Sequence, residues 1–205
     1  MMRVVPYGER AVLAEPGDLD GVLALQRALA ATALDGVEEW VPAATTVLVR
    51  FDPSRTSVAR LTDALRALPP VEATAVVGAL VDVPVVYDGA DLDDVAALAG
   101  CSRGDVIARH TAPTYTVAFC GFTPGFGYLV GGDPSLAVGR LASPRTRVPA
   151  GSVALADVFT GVYPTATPGG WRLLGRTSLA LWDPARDPPA LLAPGARVRF
   201  HAVAS

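Results

Sequence analysis

The sequence predicts an α+β fold in two parts: a small α+β sandwich, then a β-rich barrel or sandwich. Three observations predict it. Helical and strand-like periodicities alternate over the first 70 residues. The pair Pro69-Pro70 ends that stretch. From Tyr115 onward glycine and proline become frequent, and short apolar runs alternate with turn residues. The chain has 205 residues, 51% apolar and 18% charged, enough for one large domain or two small packed ones. The boundary is expected near residues 70–85, with the first domain over 1–80 and the second over 81–205.

Val4–Val5 and Ala11–Ala14 read as short strands around a turn at Gly8. Val22, Leu25, Leu29 and Ala33 recur at helical spacing, predicting a helix from Leu19 to about Leu34, with Gly36 as its stop signal. Trp40–Val41 and the β-branched run Thr45–Phe51 read as strands. Ser57 is placed to cap a helix carrying Val58, Leu61, Leu65 and Leu68 on one face. Helices on one side of an antiparallel sheet follow from this order. Val81–Tyr87 is the next strand. Asp91–Ala99 reads as a helix stopped by Gly100, and Ser102 with Asp105 forms a capping box opening a short helix that reaches His110.

Composition excludes several functions. The net charge is −3 with no basic block, which disfavours nucleic acid. All seventeen basic residues are arginine. No Schiff-base lysine and no P-loop lysine exists, so no nucleotide is held by a Walker-type loop. Cys101 and Cys120 lack the spacing of a zinc site or a disulfide framework, and Cys120 lies in an apolar run that suits an inert thiol. No run is long enough to span a bilayer and no signal peptide is visible, so a cytoplasmic location is expected.

The informative stretch runs from His110 to Phe200. It contains Gly121-Phe122-Thr123-Pro124-Gly125-Phe126-Gly127-Tyr128-Leu129, then Ser143-Pro144-Arg145 and Val148-Pro149-Ala150-Gly151-Ser152-Val153. Thr160-Gly161-Val162-Tyr163-Pro164, Pro168-Gly169-Gly170-Trp171 and Gly175-Arg176-Thr177 follow. In this order the motifs resemble the family of 5-oxoprolinase B subunits, also labelled allophanate hydrolase subunit 1, the sporulation-kinase-inhibitor family or a carboxyltransferase domain. Tyr7-Gly8-Glu9-Arg10 and Phe51-Asp52-Pro53 extend the resemblance, less specifically, into the first half. The resemblance implies a cyclophilin-like β-barrel in the C-terminal part. It implies a homologous second subunit and a lactam-utilisation subunit as partners. The assembly would convert 5-oxoproline to glutamate while hydrolysing ATP, with this chain inactive alone. It also admits two other roles: an inhibitor of a sensor histidine kinase, or the carboxyltransferase half of a biotin-dependent, urea-amidolyase-like system. In the last case biotin arrives on another protein, because this chain has no lysine to carry it.

The candidate site residues come from these motifs. Glycines and prolines preorganise the 121–127 loop, whose N–H groups suit a carboxylate or oxyanion, or which simply joins two strands rigidly. Gly121, Phe122, Pro124, Gly125, Phe126 and Tyr128 are substrate-binding candidates on that loop. Core packing is the alternative for Phe122, and Tyr128 offers a hydroxyl. Gly151, Ser152 and Thr160 join them. Arg145 and Arg176 each present a planar fork suited to a carboxylate, or else form surface ion pairs. His110 is either a proton carrier or a structural residue at a helix end. His110 and Tyr163 are the catalytic candidates. Family members commonly carry glycine and glutamine where this chain has Asp157 and Phe159, so the pocket is expected to differ there. No metal site is expected.

Overall fold

The computed structural model describes residues 2–71 and 79–204. The chain forms two compact units, Met1–Val76 and Val77–Ser205.

In the first unit, strands β1 (Arg3–Pro6), β2 (Ala11–Glu15), β3 (Val37–Pro42) and β4 (Val47–Phe51) form an antiparallel sheet in the order β1-β2-β4-β3. Helices α1 (Leu19–Ala31) and α2 (Val58–Ala67) bury Val22, Leu25, Leu29, Leu61 and Leu65 against Val12, Val47, Val49 and Phe51. Ser57 accepts the Arg60 N–H as the cap of α2, as its position predicts. Helix α1 stops three residues short of the expected Leu34, because Thr32 takes an extended conformation. Leu34 still packs on the core from outside the helix.

The second unit is a seven-stranded sheet in the order β12-β9-β10-β7-β6-β13-β5. Its strands are β5 (Leu80–Val85), β6 (Tyr115–Cys120), β7 (Gly127–Val130), β9 (Ser152–Ala156), β10 (Phe159–Val162), β12 (Arg172–Arg176) and β13 (Arg197–Ala202). Its two edges meet. Val86 and Arg176 exchange both backbone hydrogen bonds at 2.9 Å, and Gly89 N–H donates to the Leu174 carbonyl. This turns the sheet into a barrel. Glycine is required at the seam: a Cβ on Gly175 would lie 2.3 Å from the Val86 carbonyl oxygen, and one on Gly89 equally close to that of Leu173. Strand β8 (Arg145–Val148) pairs with β11 (Thr167–Gly169) as a separate ribbon. Helices α3 (Leu92–Leu98) and α4 (Arg103–Thr111) contribute Leu92, Val95 and Val106 to a core shared with Leu155 and Leu174. The Ser102–Asp105 capping box opens α4, which carries buried His110 in its last turn.

No helix among the described residues is long and apolar enough to cross a membrane. Among the described residues no group of three His, Cys, Asp or Glu is placed to hold a metal ion.

Candidate functional site

Strand β10 separates the candidate residues, because neighbouring side chains on a strand point to opposite faces. Thr160 and Val162 face the barrel interior. Phe159 and Tyr163 face outward, and between them a Cβ on Gly161 would meet Phe126 at 3.0 Å and Trp171 at 3.2 Å.

Inside, a polar chain is complete. The Tyr87 hydroxyl lies 2.7 Å from His110 Nδ1, and His110 Nε2 lies 2.9 Å from Thr160 Oγ1. Thr160 donates its proton to the Ala154 carbonyl at 2.9 Å, so it accepts from His110. The imidazole is therefore neutral with the proton on Nε2, and bare Nδ1 accepts from Tyr87. The Tyr115 hydroxyl donates to the His110 carbonyl. The ring of Phe200 stands 4.6 Å from the imidazole. His110 is 1% exposed, and burial lowers its pKa to about 3. Burial also raises that of Tyr87. The two catalytic candidates are not brought together: both His110 ring nitrogens are occupied by protein groups, and Tyr163 lies on the other face of β10. Thr160 belongs to the same chain of hydrogen bonds as His110.

Outside, aromatic rings form a packed cluster on the barrel wall, with Phe126, Tyr163 and Trp171 buried and Tyr128 and Phe159 half-buried. Phe126 packs edge-on against Tyr163 at 5.4 Å, Trp171 at 5.3 Å and Tyr128 at 5.1 Å. Phe119 stacks on Tyr128 at 4.5 Å, and Phe159 closes that side at 5.5 Å from Tyr128. The loop leading in has a defined shape. Thr123 N–H donates to the Gly121 carbonyl at 2.7 Å across Phe122, whose φ is 67°. That is a γ-turn of the strained, positive-φ kind. Phe126 N–H then donates to the Thr123 carbonyl across Pro124 and Gly125, whose φ of 82° fits a type II turn. The outcome differs from core packing for Phe122: it is 60% exposed, its ring 5.5 Å from Phe126 at the rim. Non-glycine residues hold such a backbone only when the surroundings impose it. Gly121 and Pro124 are exposed and Gly125 is buried.

The arginines part company. Arg145 Nη2 lies 2.6 Å from Asp91 Oδ1, and the other oxygen of this buried carboxylate accepts the Leu173 N–H at 2.7 Å. Arg145, on β8, thus neutralises a buried charge, and Asp91 ties the start of α3 to β12. The sequence suggests a fork for a substrate carboxylate at this position; Asp91 holds Nη2, while the buried Nη1 has no hydrogen-bond partner among the described residues. Arg176 pairs with Asp88 at 2.8 Å in solvent, and lines a surface cleft of about 320 Å³ with Pro84, Val86, Ala150 and Thr177. Gly151 and Ser152 lie beside that seam. A Cβ on Gly151 would approach the Thr177 carbonyl oxygen to 2.2 Å, and Ser152 is buried. Of the predicted site residues, Phe122, Phe126, Tyr128 and Tyr163 pack together in this aromatic cluster. Tyr163 is 2% exposed, and burial raises its pKa against the opposing pull of the Trp171 N–H.

Residues 2–192 match the family model for the carboxyltransferase domain, subdomain C and D. The chain belongs to that family. It is 54% identical over 123 residues to the B subunit of 5-oxoprolinase from Escherichia coli O157:H7, covering 58% of this chain and 56% of that protein. The corresponding figures for the 5-oxoprolinase B subunit of Bacillus subtilis (strain 168) are 47% over 124 residues, 59% and 52%. The chain spans little more than half the length of the curated relatives it matches. The crystal structure of TTHA0988 is 40% identical with a TM-score of 0.76, covering all of this chain and 41% of that one.

In this carboxyltransferase C/D domain one residue beside the aromatic cluster lies beyond the reach of the sequence motifs. Arg140 stands over the Trp171 ring, 5.9 Å from its centroid. It sits outside every motif, and its only signal in the sequence is the Gly139 that precedes it. Asp157 has a φ of 53°, a conformation glycine holds without strain. Phe159 packs edge-on against Phe119 and Tyr128.

Proposed function

We propose that this chain is a subunit of an ATP-dependent 5-oxoprolinase, acting with a homologous second subunit and a lactam-utilisation subunit. The carrying observation is its 44–54% identity to three proteins named as B subunits of 5-oxoprolinase. On the outer face Phe122 is exposed and Tyr128 and Phe159 are half-buried, and these are the aromatic surfaces that a flat lactam or a partner would meet. The reaction consumes one water to open the ring to glutamate and a second to convert ATP to ADP and phosphate. This chain's part is to bind and orient the lactam away from bulk water. Its residues offer no lysine-bearing phosphate loop, so the nucleotide contacts fall to the partners in this reading.

The test is co-purification with both partners, followed by an assay of glutamate release from 5-oxoproline. Release that needs ATP and all three chains is expected, with neither ATP hydrolysis nor release by this chain alone. An assembled complex that leaves 5-oxoproline intact overturns the reading. Inhibition of a sensor kinase by the pure chain would put the inhibitor role in its place.

A further inference from the structure

We infer that the cleft at the barrel seam is a binding site for a small monocarboxylate on a compact apolar body. The inference stands apart from the lactam reading above: it rests on the cleft's own walls and donors, all of them in the second unit.

The cleft exists because the seam stops closing. Val86 and Arg176 exchange both backbone hydrogen bonds at 2.9 Å. The next hydrogen-bonded rung of an antiparallel ladder would pair Pro84 with Ser178. Proline has no N–H to give it. The chain beyond Arg176 turns aside instead, and Thr177 N–H donates to the Gly151 carbonyl at 2.8 Å. That crossing requires glycine, since a Cβ on Gly151 would lie 2.2 Å from the Thr177 carbonyl oxygen. The opening between the two edges has a volume of about 320 Å³, within the range of small-molecule sites. Pro84, Ala150 and Val203 give it apolar walls, and Arg176, Thr177 and Ser178 supply its polar side chains.

Those side chains are donors. Asp88 takes only the Nε of Arg176, at 2.8 Å, so both Nη groups remain to donate. Thr177 Oγ1 accepts the Leu179 N–H at 3.2 Å, which leaves its own proton to give. Among the described residues neither the N–H nor the hydroxyl of Ser178 has a hydrogen-bond partner. A ligand for this set must accept hydrogen bonds, present paired oxygens to a planar fork, and carry apolar surface for the walls. A carboxylate on a small ring does all three. Phosphate is a poorer match. Among the described residues Arg176 is the one cation lining the cleft, and Asp88 stands beside it, so nothing offsets a second negative charge.

The experiment titrates the full chain with cyclopentanecarboxylate, with cyclopentanecarboxamide, which has the same ring without the charge, and with inorganic phosphate. The backbone amide resonances of Thr177 and Ser178 report on the cleft, with the Trp40 indole in the first unit as reference. The acid is expected to shift both amides at concentrations at least about tenfold below those that the carboxamide or phosphate needs. Arg176→Gln removes that preference, while Arg103→Gln on α4, an equal change of charge, leaves it intact. Ala150→Leu fills the apolar wall without touching a charge and weakens the acid at least about threefold. Asp88→Asn keeps an acceptor for Nε but removes the neighbouring charge, so the acid binds about two- to fivefold more tightly at low salt. Arg176, Asp88 and Ala150 are exposed, so each variant is expected to melt within about 3 °C of the wild type. Equal response to the acid and the carboxamide, tighter binding of phosphate, no response at either amide, or a preference that survives Arg176→Gln overturns the site. Unchanged affinity in Ala150→Leu takes the ligand out of the cleft and overturns it as well.

Discussion

The inner and outer faces of β10 present opposite solutions to the same problem, that of placing polar groups among apolar ones. Inward, every donor and acceptor around His110 is matched: Tyr87 to Nδ1, Nε2 to Thr160, Thr160 to the Ala154 carbonyl. Outward, Arg140 keeps its donors free above Trp171, and Phe122 keeps its ring in solvent on a strained turn. Satisfied groups hold a fold; unsatisfied ones are available to a ligand. A histidine attracts attention in a sequence because it titrates, yet here the titratable group is the inert one and the permanent cation is the available one.

The comparison breaks most visibly at His110. His110→Ala removes a buried ring, leaves the Tyr87 hydroxyl without its partner and takes from Thr160 the bond it accepts, though not the one it donates to Ala154. Cavity and unmade hydrogen bonds together cost about 3–5 kcal/mol. Urea denaturation measures this directly. A loss below about 1 kcal/mol would show that the inner chain of hydrogen bonds is not structural. Any properly folded fraction is expected to retain affinity for 5-oxoproline.

Arg145→Ala comes next, at about 2–3 kcal/mol, reduced from the cost of stranding a fully buried charge because the arginine side chain is 29% exposed. The second change Asp91→Asn is expected to restore part of this loss, since it removes the charge left unpaired. A loss of substrate affinity without a change in melting would return Arg145 to the binding site.

Acid acts on the same inner face. The folded pKa of His110, about 3, lies below the ordinary value of 6.5, so between these limits the unfolded chain binds more protons. Its contribution is complete above pH 6.5 and declines as pH falls toward 3. Tyr87, Tyr115, Thr160 and Phe200 surround the ring, and none of them supplies a carboxylate. Between about pH 6.5 and 4.5, a window in which carboxylates only begin to titrate at the lower end, His110 is expected to cost the wild type about 2 kcal/mol. His110→Gln removes that slope. A wild-type stability that is flat across this window contradicts the neutral, sealed imidazole.

Much of this architecture was legible in local patterns. The caps at Ser57 and Ser102, the apolar faces of α1 and α2, and the glycine-rich turns are written within a few residues of where they act. The pairings that decide function span the chain. Asp91 meets Arg145 across 54 positions, His110 meets Thr160 across 50, and Arg172 reaches back 33 to fix Arg140. Arg145 carries weight in a motif because it neighbours Pro144 and the Val148–Val153 segment. Nothing local reveals that a buried aspartate already holds it. Core packing is the ordinary reading for Phe122 in a sequence, but the γ-turn there leaves its ring mostly exposed beside Phe126.

The smallest expected effect on stability sharpens the outer face. Phe122→Gly relieves a positive-φ backbone that costs a bulky residue about 1–2 kcal/mol. Glycine offsets part of this through greater freedom in the unfolded chain, about 0.5–1 kcal/mol. The residue is mostly exposed, so little burial is lost with its ring. The net change in stability is expected to lie within about 1 kcal/mol of zero, on the stabilising side. Binding is expected to move the other way: if the turn holds Phe122 at the rim to cover the lactam, Phe122→Gly weakens 5-oxoproline binding about three- to tenfold, consistent with losing one aromatic contact. Phe122→Leu separates the two effects, because it keeps the strain and an apolar side chain but not the flat face. A glycine variant that is both more stable and equally tight in binding would leave the strained turn without a role in binding.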